Sequence, residues 1–350
     1  MNIIIFAGGA GTRLWPLSRR HAPKQFGRLK GDQSTLQMAV ERVRSFGLDK
    51  IFISTADEYL ATVREQVPEL PAGHLWGEPA RRDLAAAVGL TLCRLKRRGL
   101  SGTLAMLWAD HFMDHPEVFV QALRRAERLV AVNPQRFVFL GESPRFANHN
   151  LGWIHAGPEI APGEKSFLGW KYRPELDECR RLYESGEWLW NPGYFVFDID
   201  FVLGLYRQFM PEMEAALAAM ADDEEKLRQN YPELPAISFD SAIIEHISPE
   251  QAVVLPVNLG WSDPGTLYAL KETMASAPTD NYVKGTVSVQ RTVDSFIVNE
   301  EPEKLVAAVG LDGVIVVNTK DALLVCHKDH VPDIKVLLKN LEEEGKGQYL

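Results

Sequence analysis

The chain has 350 residues, of which 46% are apolar and 24% charged, and its formal net charge at pH 7 is −9. This length allows a large core and more than one domain, and the acidic balance argues against a nucleic-acid-binding surface without excluding a nucleotide, for which a few local cations suffice. The three cysteines show no CxxC spacing, and no apolar run approaches the ~20 residues that span a bilayer, so we expect a protein of the reducing cytoplasm without a membrane partner.

Short apolar runs alternate with amphipathic, helix-like segments over residues 1 to about 140. The apolar runs are IIIF at 3–6, IFIS at 51–54, HLW at 74–76, TLAMLW at 103–108 and RFVFL at 136–140. Continuous apolar strands separated by helices predict a Rossmann-like α/β fold with a mostly parallel sheet covered on both faces. Ligands of such sheets bind beyond the carboxyl ends of the strands, so the segments after IIIF and TLAMLW should share one crevice.

The pattern changes twice in the rest of the chain. From about 141 to 275 strand and helix candidates are mixed, whereas from about 282 the strand candidates are closely spaced: VKGTVSV, SFIV, KLVAAVG, VIVVN and ALLVC. The helix-like run VPDIKVLLKNLEEE follows them. We predict a small β-rich C-terminal unit with a terminal helix, and a boundary within SAPTDN at 276–281.

A glycine cluster, GGAGTR at 8–13, follows the first strand. It is not a dinucleotide fingerprint, because Leu14 stands at the third glycine position, and no lysine follows as a Walker A loop requires. The remaining interpretation is a loop whose backbone N–H groups wrap a nucleotide, with the forked side chain of Arg13 on the polyphosphate. Pro16 and Pro23 would stiffen the segment that delivers Lys24. For the loop taken alone, a tight strand-to-helix turn with exposed cations is the alternative.

The longer stretch AGGAGTRLWPLSRRHAPKQFGRL at 7–29 resembles the signature of the nucleotidyltransferase family that makes sugar nucleotides. Its tryptophan, serine and P-K-Q-F resemble the mannose-1-phosphate guanylyltransferase (GDP-mannose pyrophosphorylase) branch. The resemblance covers nearly the whole chain and implies a GT-A-like catalytic domain at 1–278 and a β-rich domain at 279–350. In the bacterial guanylyltransferases the latter takes part in dimerisation, so we expect a homodimer. The resemblance also implies nucleotide-binding roles for five residues of the loop: Ala7, Gly8, Gly9, Gly11 and Thr12.

The stretch GEPARRD at 77–83 resembles the segment that carries the family's base-recognising residues. A carboxylate at Glu78 suits guanine, whose N1–H and 2-amino group present two donors side by side, whereas a thymine or uracil site would favour an amide. Arg82 could pair with Glu78 or reach the ligand. For Glu78 taken alone, a surface carboxylate at a helix start is the alternative.

Two further segments resemble the family's magnesium site. LWADHFM at 107–113 resembles L-P-A-D-H, with Trp108 in place of the proline, and GWSDPG at 260–265 resembles G-W-x-D-x-G. They imply that Asp110 and Asp263 bind Mg²⁺ together with substrate phosphates, which suits an ion that prefers oxygen ligands and keeps waters. For either aspartate alone, a solvated loop residue is the alternative.

The sugar side is implied by WLWNPGYFVF at 188–197 and FDSAIIEH at 239–246, which resemble segments that contact the sugar through residues matched here by Asn191 and Asp240. Glu245 matches the glutamate of the second segment. Arg173, in YRP, stands at the lysine of the family's E-K-P and retains a cation for the sugar phosphate.

The sequence departs from the family pattern at this sugar side. FANHNLGWI at 146–154 replaces P-E-T-G-Y-G-Y-I, which puts Asn148 and His149 at the glutamate and threonine while Gly152 survives. Tyr172 replaces the glutamate of E-K-P. A site built to hydrogen-bond particular hydroxyls discriminates strongly. We therefore expect either a mannose pocket that uses other polar groups or a different GDP-sugar product.

The resemblance implies that the chain transfers GMP from GTP to mannose 1-phosphate by Mg²⁺-dependent in-line attack on the α-phosphate, giving GDP-mannose and pyrophosphate. The attacking phosphate oxygen is already ionised at pH 7, so catalysis needs positioning and charge stabilisation and no general base. Lys24 would neutralise charge at the α-phosphate, Arg13 would hold pyrophosphate and Arg173 the sugar phosphate. The alternatives are a guanylyltransferase for another sugar 1-phosphate and a catalytically silent sugar-nucleotide-binding regulatory subunit.

Overall fold

The computed structural model describes residues 1–9 and 14–350. The chain divides into two compact units that are each discontinuous in sequence. Unit 1 comprises Met1–Gly8, Ala39–Ala109 and Met113–Trp261, and unit 2 comprises Gly9–Met38, Asp110–Phe112 and Ser262–Leu350. These units are not the contiguous domains 1–278 and 279–350 of the sequence analysis, and that division stays a prediction.

Unit 1 contains a ten-stranded mixed sheet in the order β10-β7-β6-β8-β5-β9-β4-β1-β2-β3. The strands are β1 Asn2–Phe6, β2 Ile51–Ala56, β3 Leu75–Glu78, β4 Thr103–Trp108, β5 Phe137–Glu142, β6 Gly152–Ala161, β7 Glu164–Tyr172, β8 Trp188–Asn191, β9 Phe195–Asp198 and β10 Ala252–Val257. β4, β1, β2 and β3 run parallel, whereas β6 runs antiparallel to both β7 and β8. The predicted α/β architecture is confirmed.

Three of the four parallel strands, β1, β2 and β4, are buried over most of their length, whereas the edge strand β3 is only partly buried. Ile3, Ile4 and Ile5 of β1 are at most 1% exposed, as expected for a continuous apolar strand in a parallel sheet. β1 and β4 end side by side: Phe6 pairs with Trp108, and Ala109 donates its N–H to the Phe6 carbonyl. The two segments that were expected to share a crevice therefore leave adjacent strands.

Nine α-helices alternate with or follow these strands in the sequence up to residue 250, within the described residues. They are α1 Thr35–Val43, α2 Leu60–Gln66, α3 Asp83–Arg97, α4 Pro116–Val132, α5 Leu176–Ser185, α6 Ile199–Phe209, α7 Pro211–Met220, α8 Glu224–Asn230 and α9 Phe239–Ala242. α3 is buried from Ala85 to Leu95 and packs against α6, α7 and α9. Within residues 1–9 and 14–350, no helix is both long and apolar enough to cross a membrane.

Unit 2 carries a four-stranded sheet in the order β11-β13-β15-β16 and a two-stranded sheet of β12 and β14. Its strands and helices after residue 262 are α10 Leu267–Met274, β11 Tyr282–Lys284, β12 Val287–Gln290, β13 Phe296–Asn299, β14 Val306–Val309, β15 Val314–Asn318, β16 Leu323–His327 and α11 Ile334–Glu343. The predicted β-rich C-terminal unit with its terminal helix is confirmed. The turn after β11 requires Gly285, since a Cβ there would lie 2.0 Å from the Asn299 carbonyl oxygen.

A buried ionic network joins α10 to segments that flank the strands of unit 2. Asp294 accepts hydrogen bonds from Lys271 at 2.5 Å, from Lys328 at 2.6 Å and from the Tyr268 hydroxyl at 2.9 Å. The Lys271 side chain is fully buried. Burial alone would raise the pKa of Asp294, but these donors outweigh it and lower the pKa to about 2. The network therefore keeps a charged carboxylate inside the unit.

Candidate active site

Three of the predicted site residues form one cluster in unit 2. The ammonium Nζ of Lys24 lies 2.9 Å from Oδ1 of Asp263 and 3.4 Å from Oδ2 of Asp110. Lys24 is 6% exposed, whereas the two aspartates are 36% and 37% exposed. A buried cation thus faces two carboxylates that remain open to solvent. Arg13, the second predicted cation, lies outside the described residues.

A short backbone bridge brings the two aspartates together, although they come from distant parts of the chain. Phe112 and Ser262 exchange N–H···O bonds of 3.0 and 3.1 Å. Asp110 stands two positions before Phe112 and Asp263 one position after Ser262, so the bridge sets the spacing of both carboxylates. His111 lies within the same cluster, with Nε2 3.9 Å from Asp110 and 4.0 Å from Asp263. Sequence reasoning gave no role to His111.

In unit 1, a buried glutamate fixes the backbone that leads into the second aspartate segment. Glu142 is fully buried and accepts hydrogen bonds from the backbone N–H groups of Leu259 at 2.8 Å and Trp261 at 3.2 Å. Arg145 donates to the Trp261 carbonyl at 2.7 Å. Burial raises the pKa of Glu142, and the backbone donors oppose that shift. Glu142 was missed in the sequence because its partners are 117 and 119 residues away.

The carboxylate pair fits a magnesium ion. Burial alone would lower the pKa of Lys24, but the charges of Asp110 and Asp263 outweigh it and raise the pKa, so the buried Lys24 side chain keeps its positive charge. In the part of the chain that the structure describes, no group of three or more His, Cys, Asp and Glu side chains could hold a metal alone. Two partly exposed carboxylates suit Mg²⁺, which completes its shell with waters and substrate phosphates.

The described part of the glycine loop is anchored to β2. Ala7 donates its N–H to the Ser54 carbonyl at 2.8 Å and accepts a 2.9 Å bond from the Thr55 hydroxyl. Among residues 1–9 and 14–350, no atom lies within 4 Å of a Cβ built at Gly8 or at Gly9. Gly9 has φ +114°, a conformation that favours glycine. Gly11 and Thr12 lie outside the described residues.

The predicted base-reading residue Glu78 ends β3 and is held by two hydroxyls. Ser54 donates to its Oε1 at 2.8 Å, and Tyr231 donates to its Oε2 at 2.9 Å. Burial raises the pKa of Glu78, while both hydroxyls and the charge of Arg94 oppose that shift. Arg82 donates to the carbonyls of Pro232 and Arg81. Its pairing with Glu78, one of the two options left by the sequence, is not made.

Three sugar-side residues lie next to one another on adjacent strands. Gly152 pairs in register with Tyr172 on β7 and with Asn191 on β8, so all three present the same face of the sheet. Because Gly152 has no side chain, no side chain stands between Tyr172 and Asn191 on this face, and we call this position the slot. The Gly193 N–H donates to Asn191 Oδ1 at 3.0 Å, while Nδ2 lies 3.7 Å from a Cβ built at Gly152. The amide thus presents donors to the slot.

Arg173 and Tyr172 form a stacked pair at the edge of this slot. The Arg173 guanidinium lies 5.0 Å from the centre of the Tyr172 ring, and Tyr172 is 61% exposed. Arg173 has φ +45°, a conformation that a non-glycine residue adopts at a cost and that is often found at functional sites. The cation predicted to hold the sugar phosphate is therefore set beside the residue that departs from the family pattern.

The remaining sugar-side predictions are not among these paired strand residues. Asn148 accepts a 2.9 Å bond from the Asn150 N–H and belongs to a local turn, and His149 is exposed. Asp240 lies on α9, where burial and the charges of Asp83 and Glu245 raise its pKa to about 6. Its sugar-binding role stays a prediction.

Trp108, which stands where the family has proline, is accommodated by a neighbouring glycine. Its ring N–H donates to the Gly193 carbonyl at 3.1 Å. Gly193 has φ +75°, and a Cβ there would lie 2.6 Å from the Trp108 ring nitrogen. A side chain at position 193 would therefore collide with the Trp108 ring, and glycine avoids this collision.

Comparison with known proteins decides the family. Residues 2–280 match the family described as nucleotidyl transferase, and residues 286–341 match the MannoseP isomerase/GMP-like beta-helix domain. The chain belongs to the nucleotidyl transferase family. The family predicted from the glycine loop and its neighbouring motifs is thus confirmed, and the protein is an enzyme of the nucleotidyltransferase class.

Similar nucleotidyltransferases match over almost the full length of this chain. Mannose-1-phosphate guanylyltransferase RfbM of Salmonella typhimurium is 30% identical over 357 residues, which cover 99% of this chain and 73% of that protein. Mannose-1-phosphate guanylyltransferase 2 of Escherichia coli O157:H7 is 31% identical over 366 residues, covering 99% and 74%. The crystal structure described as a mannose-1-phosphate geranyltransferase from Thermus thermophilus has a TM-score of 0.88 at 28% identity, covering 97% of this chain and 99% of that one.

Proposed function

We propose that this nucleotidyltransferase transfers GMP from GTP to mannose 1-phosphate and releases GDP-mannose and pyrophosphate. The observation that carries the proposal is the position of the Lys24 ammonium 2.9 and 3.4 Å from the Asp263 and Asp110 carboxylates. A silent regulatory subunit would have no need to keep a buried cation against two solvent-open carboxylates. The names of the two curated relatives support the sugar and the base.

Mg²⁺ would be held by Asp110 and Asp263 and, when bound, would neutralise charge on the phosphate oxygens. Lys24 supplies a further positive charge, which the low exposure of its side chain keeps from being screened by water. The ionised phosphate of the sugar substrate attacks without a general base, so the residues of the chain have to orient the two substrates. Arg173 is proposed to hold the sugar phosphate, and Arg13 the departing pyrophosphate.

Guanine would be read by Glu78, because an ionised carboxylate offers two acceptors to the N1–H and 2-amino donors. Both oxygens already accept a hydrogen bond, one from the Ser54 hydroxyl and one from the Tyr231 hydroxyl. Each retains a second lone pair for the base, since a carboxylate has about four acceptor sites. Adenine, with an acceptor at N1, would not match this pair of acceptors.

A second candidate, a guanylyltransferase for another sugar 1-phosphate, is favoured by the slot at Gly152. The ring of Tyr172 cannot accept a hydroxyl as the family's glutamate does, yet it offers an apolar surface on which a sugar face can stack. Asn191 presents donors from the other side of the slot. The chemistry is unchanged, and only the identity of the sugar differs.

We also propose a homodimer in the cytoplasm. The β-rich part of unit 2 exposes Leu305, Val309, Leu323 and Val325 by 60% or more, and a dimer interface would cover such apolar side chains. The three cysteines are free thiols, which suits a reducing compartment.

The decisive experiment measures pyrophosphate release with Mg²⁺, combining each of the four NTPs with a panel of hexose 1-phosphates. Turnover confined to GTP and mannose 1-phosphate is expected. Turnover with GTP and a different sugar would establish the second candidate, and the absence of turnover with every pair would contradict both.

A further inference from the structure

We propose that Tyr231 is a positioning residue for base recognition, which fixes Glu78 as the acceptor that selects guanine. This inference rests on the proposed function, in which Glu78 reads the base of GTP. Tyr231 is fully buried in the core of unit 1, in the segment after α8, and its hydroxyl lies 2.9 Å from Oε2 of Glu78. The two residues are 153 positions apart, so the contact is made only by folding.

The carboxylate of Glu78 is fixed at both oxygens. Ser54, on the neighbouring strand β2, donates to Oε1 at 2.8 Å, and Tyr231 donates to Oε2. A glutamate that is free to rotate loses side-chain entropy when it binds a ligand at two points. With both oxygens held, this cost is met on folding, and the plane of the carboxylate is set before the base arrives. Ser54 also accepts the Ala7 N–H through its carbonyl, which links Glu78 to the start of the glycine loop.

The two hydroxyls also favour the ionised form of Glu78, against the net rise in its pKa that burial causes. Burial raises the pKa of Glu78, as does the charge of Asp57, whereas Ser54, Tyr231 and the charge of Arg94 lower it. An ionised carboxylate is only an acceptor, but a protonated one would point a donor towards a guanine N–H. Loss of the Tyr231 hydroxyl removes one of the groups that stabilise the ionised form. The pKa of Glu78 should then rise further, and GTP binding should weaken at a higher pH than in the wild type.

The test compares Tyr231→Phe with Tyr206→Phe, a matched control. Tyr206 is also fully buried in unit 1, but its hydroxyl donates to the Ala85 carbonyl at 2.6 Å and does not touch Glu78. For Tyr231→Phe we expect the KM for GTP to rise about tenfold, the size expected for a lost hydrogen bond to a charged group, with kcat within about twofold of the wild type. ITP lacks the 2-amino donor. The preference for GTP over ITP should shrink, because a Glu78 carboxylate that is no longer held in place will not keep hydrogen bonds to both N1–H and the 2-amino group.

The pH dependence separates positioning from a general loss of packing. In Tyr231→Phe the rise of KM for GTP on acidification should begin at a higher pH than in the wild type, and in Tyr206→Phe it should not move. Ser54→Ala, which removes the other hydroxyl from the Glu78 carboxylate, should shift KM and the pH dependence in the same direction and keeps the test valid if Tyr231→Phe does not fold. The inference would be overturned if a folded Tyr231→Phe or Ser54→Ala variant had the same KM for GTP, the same preference for GTP over ITP and the same pH dependence as the wild type.

A further variant distinguishes failure of this inference from failure of the proposed function. If the wild type prefers GTP and Glu78→Gln abolishes that preference while Tyr231→Phe and Ser54→Ala retain it, only the positioning role fails. If the wild type shows no preference for GTP, or Glu78→Gln leaves the preference intact, the assignment of Glu78 to the base fails, and the inference fails with it.

Discussion

The Lys24 ammonium lies 2.9 Å from the Asp263 carboxylate, although 239 positions separate the two residues in the chain. This contact gathers the charges proposed to act on the triphosphate.

We expect Lys24→Ala to lower kcat about 100-fold or more, as the loss of a preorganised charge usually does. Lys335→Ala, which removes an exposed lysine of α11, should leave kcat unchanged. Steady-state pyrophosphate release, with circular dichroism to verify folding, checks this. Near-wild-type turnover of Lys24→Ala would contradict the catalytic role proposed for Lys24.

Removal of one carboxylate should weaken metal binding. For Asp263→Asn we expect the Mg²⁺ concentration for half-maximal rate to rise at least about tenfold, on the order of the loss from one charged ligand. Direct titration of Mn²⁺, followed by its electron paramagnetic resonance signal, measures binding without turnover. Glu303→Gln, on an exposed residue of unit 2, serves as the control. Equal Mn²⁺ affinity in the wild type and Asp263→Asn would remove Asp263 from the metal site.

The exposed ring of Tyr172 should contribute to sugar binding by its surface. Tyr172→Ala should lower kcat/KM for the sugar 1-phosphate about three- to tenfold, the range expected for a lost stacking contact, while the KM for GTP stays within about twofold. Tyr172→Phe retains the ring and should behave as the wild type. If Tyr172→Phe loses as much as Tyr172→Ala, the hydroxyl is what matters, and stacking is not the mode of binding.

The buried network of unit 2 should control stability. Asp294→Asn leaves the ammonium of Lys271, which is fully buried, without its counter-ion, and we expect a loss of about 3–5 kcal/mol in the free energy of unfolding. Urea unfolding at pH 7 measures this. Asp312→Asn provides an exposed aspartate of the same unit for comparison, and an equal effect of the two substitutions would show that the network is not stabilising.

The same network predicts a direction for the pH dependence of stability. The pKa of Asp294 is lowered to about 2 in the folded protein, below the ~3.9 of an unfolded aspartate. Its ionised form therefore stabilises the fold fully above pH ~4, and that contribution is lost as the pH falls from ~4 towards 2. The stability difference between the wild type and Asp294→Asn should shrink over that interval. A difference that grows on acidification would contradict the lowered pKa.

An edge-strand substitution tests the proposed homodimer. Val325 lies on β16, an edge strand of the four-stranded sheet, and is 64% exposed. Val325→Lys should convert a dimer into a monomer in size-exclusion chromatography with light scattering, since a charge would be buried in the interface. Val132→Lys, on a residue that is 84% exposed at the end of α4, should not. A wild-type protein that is already monomeric would refute the dimer itself.

Much of the fold was predictable because its signals are local. The run IIIF before a glycine cluster marks β1, and the alternation of apolar strands with amphipathic helices marks the α/β sheet. The family followed from contiguous motifs such as PKQF and GWSDPG, whose residues are neighbours in the chain. Asp110 and Asp263 could each be named from such a motif.

Only the tertiary structure decided which partners the site residues have. Nothing near Glu78 in the sequence indicates that Tyr231 will hold its carboxylate, or that Glu142 will fix the backbone before Asp263, since these contacts span more than 110 positions. The register that sets Gly152 between Tyr172 and Asn191 is likewise a property of paired strands. A residue's type and its local pattern follow from the chain itself, but hydrogen bonds and ion pairs form between whatever groups folding brings within about 3 Å of each other.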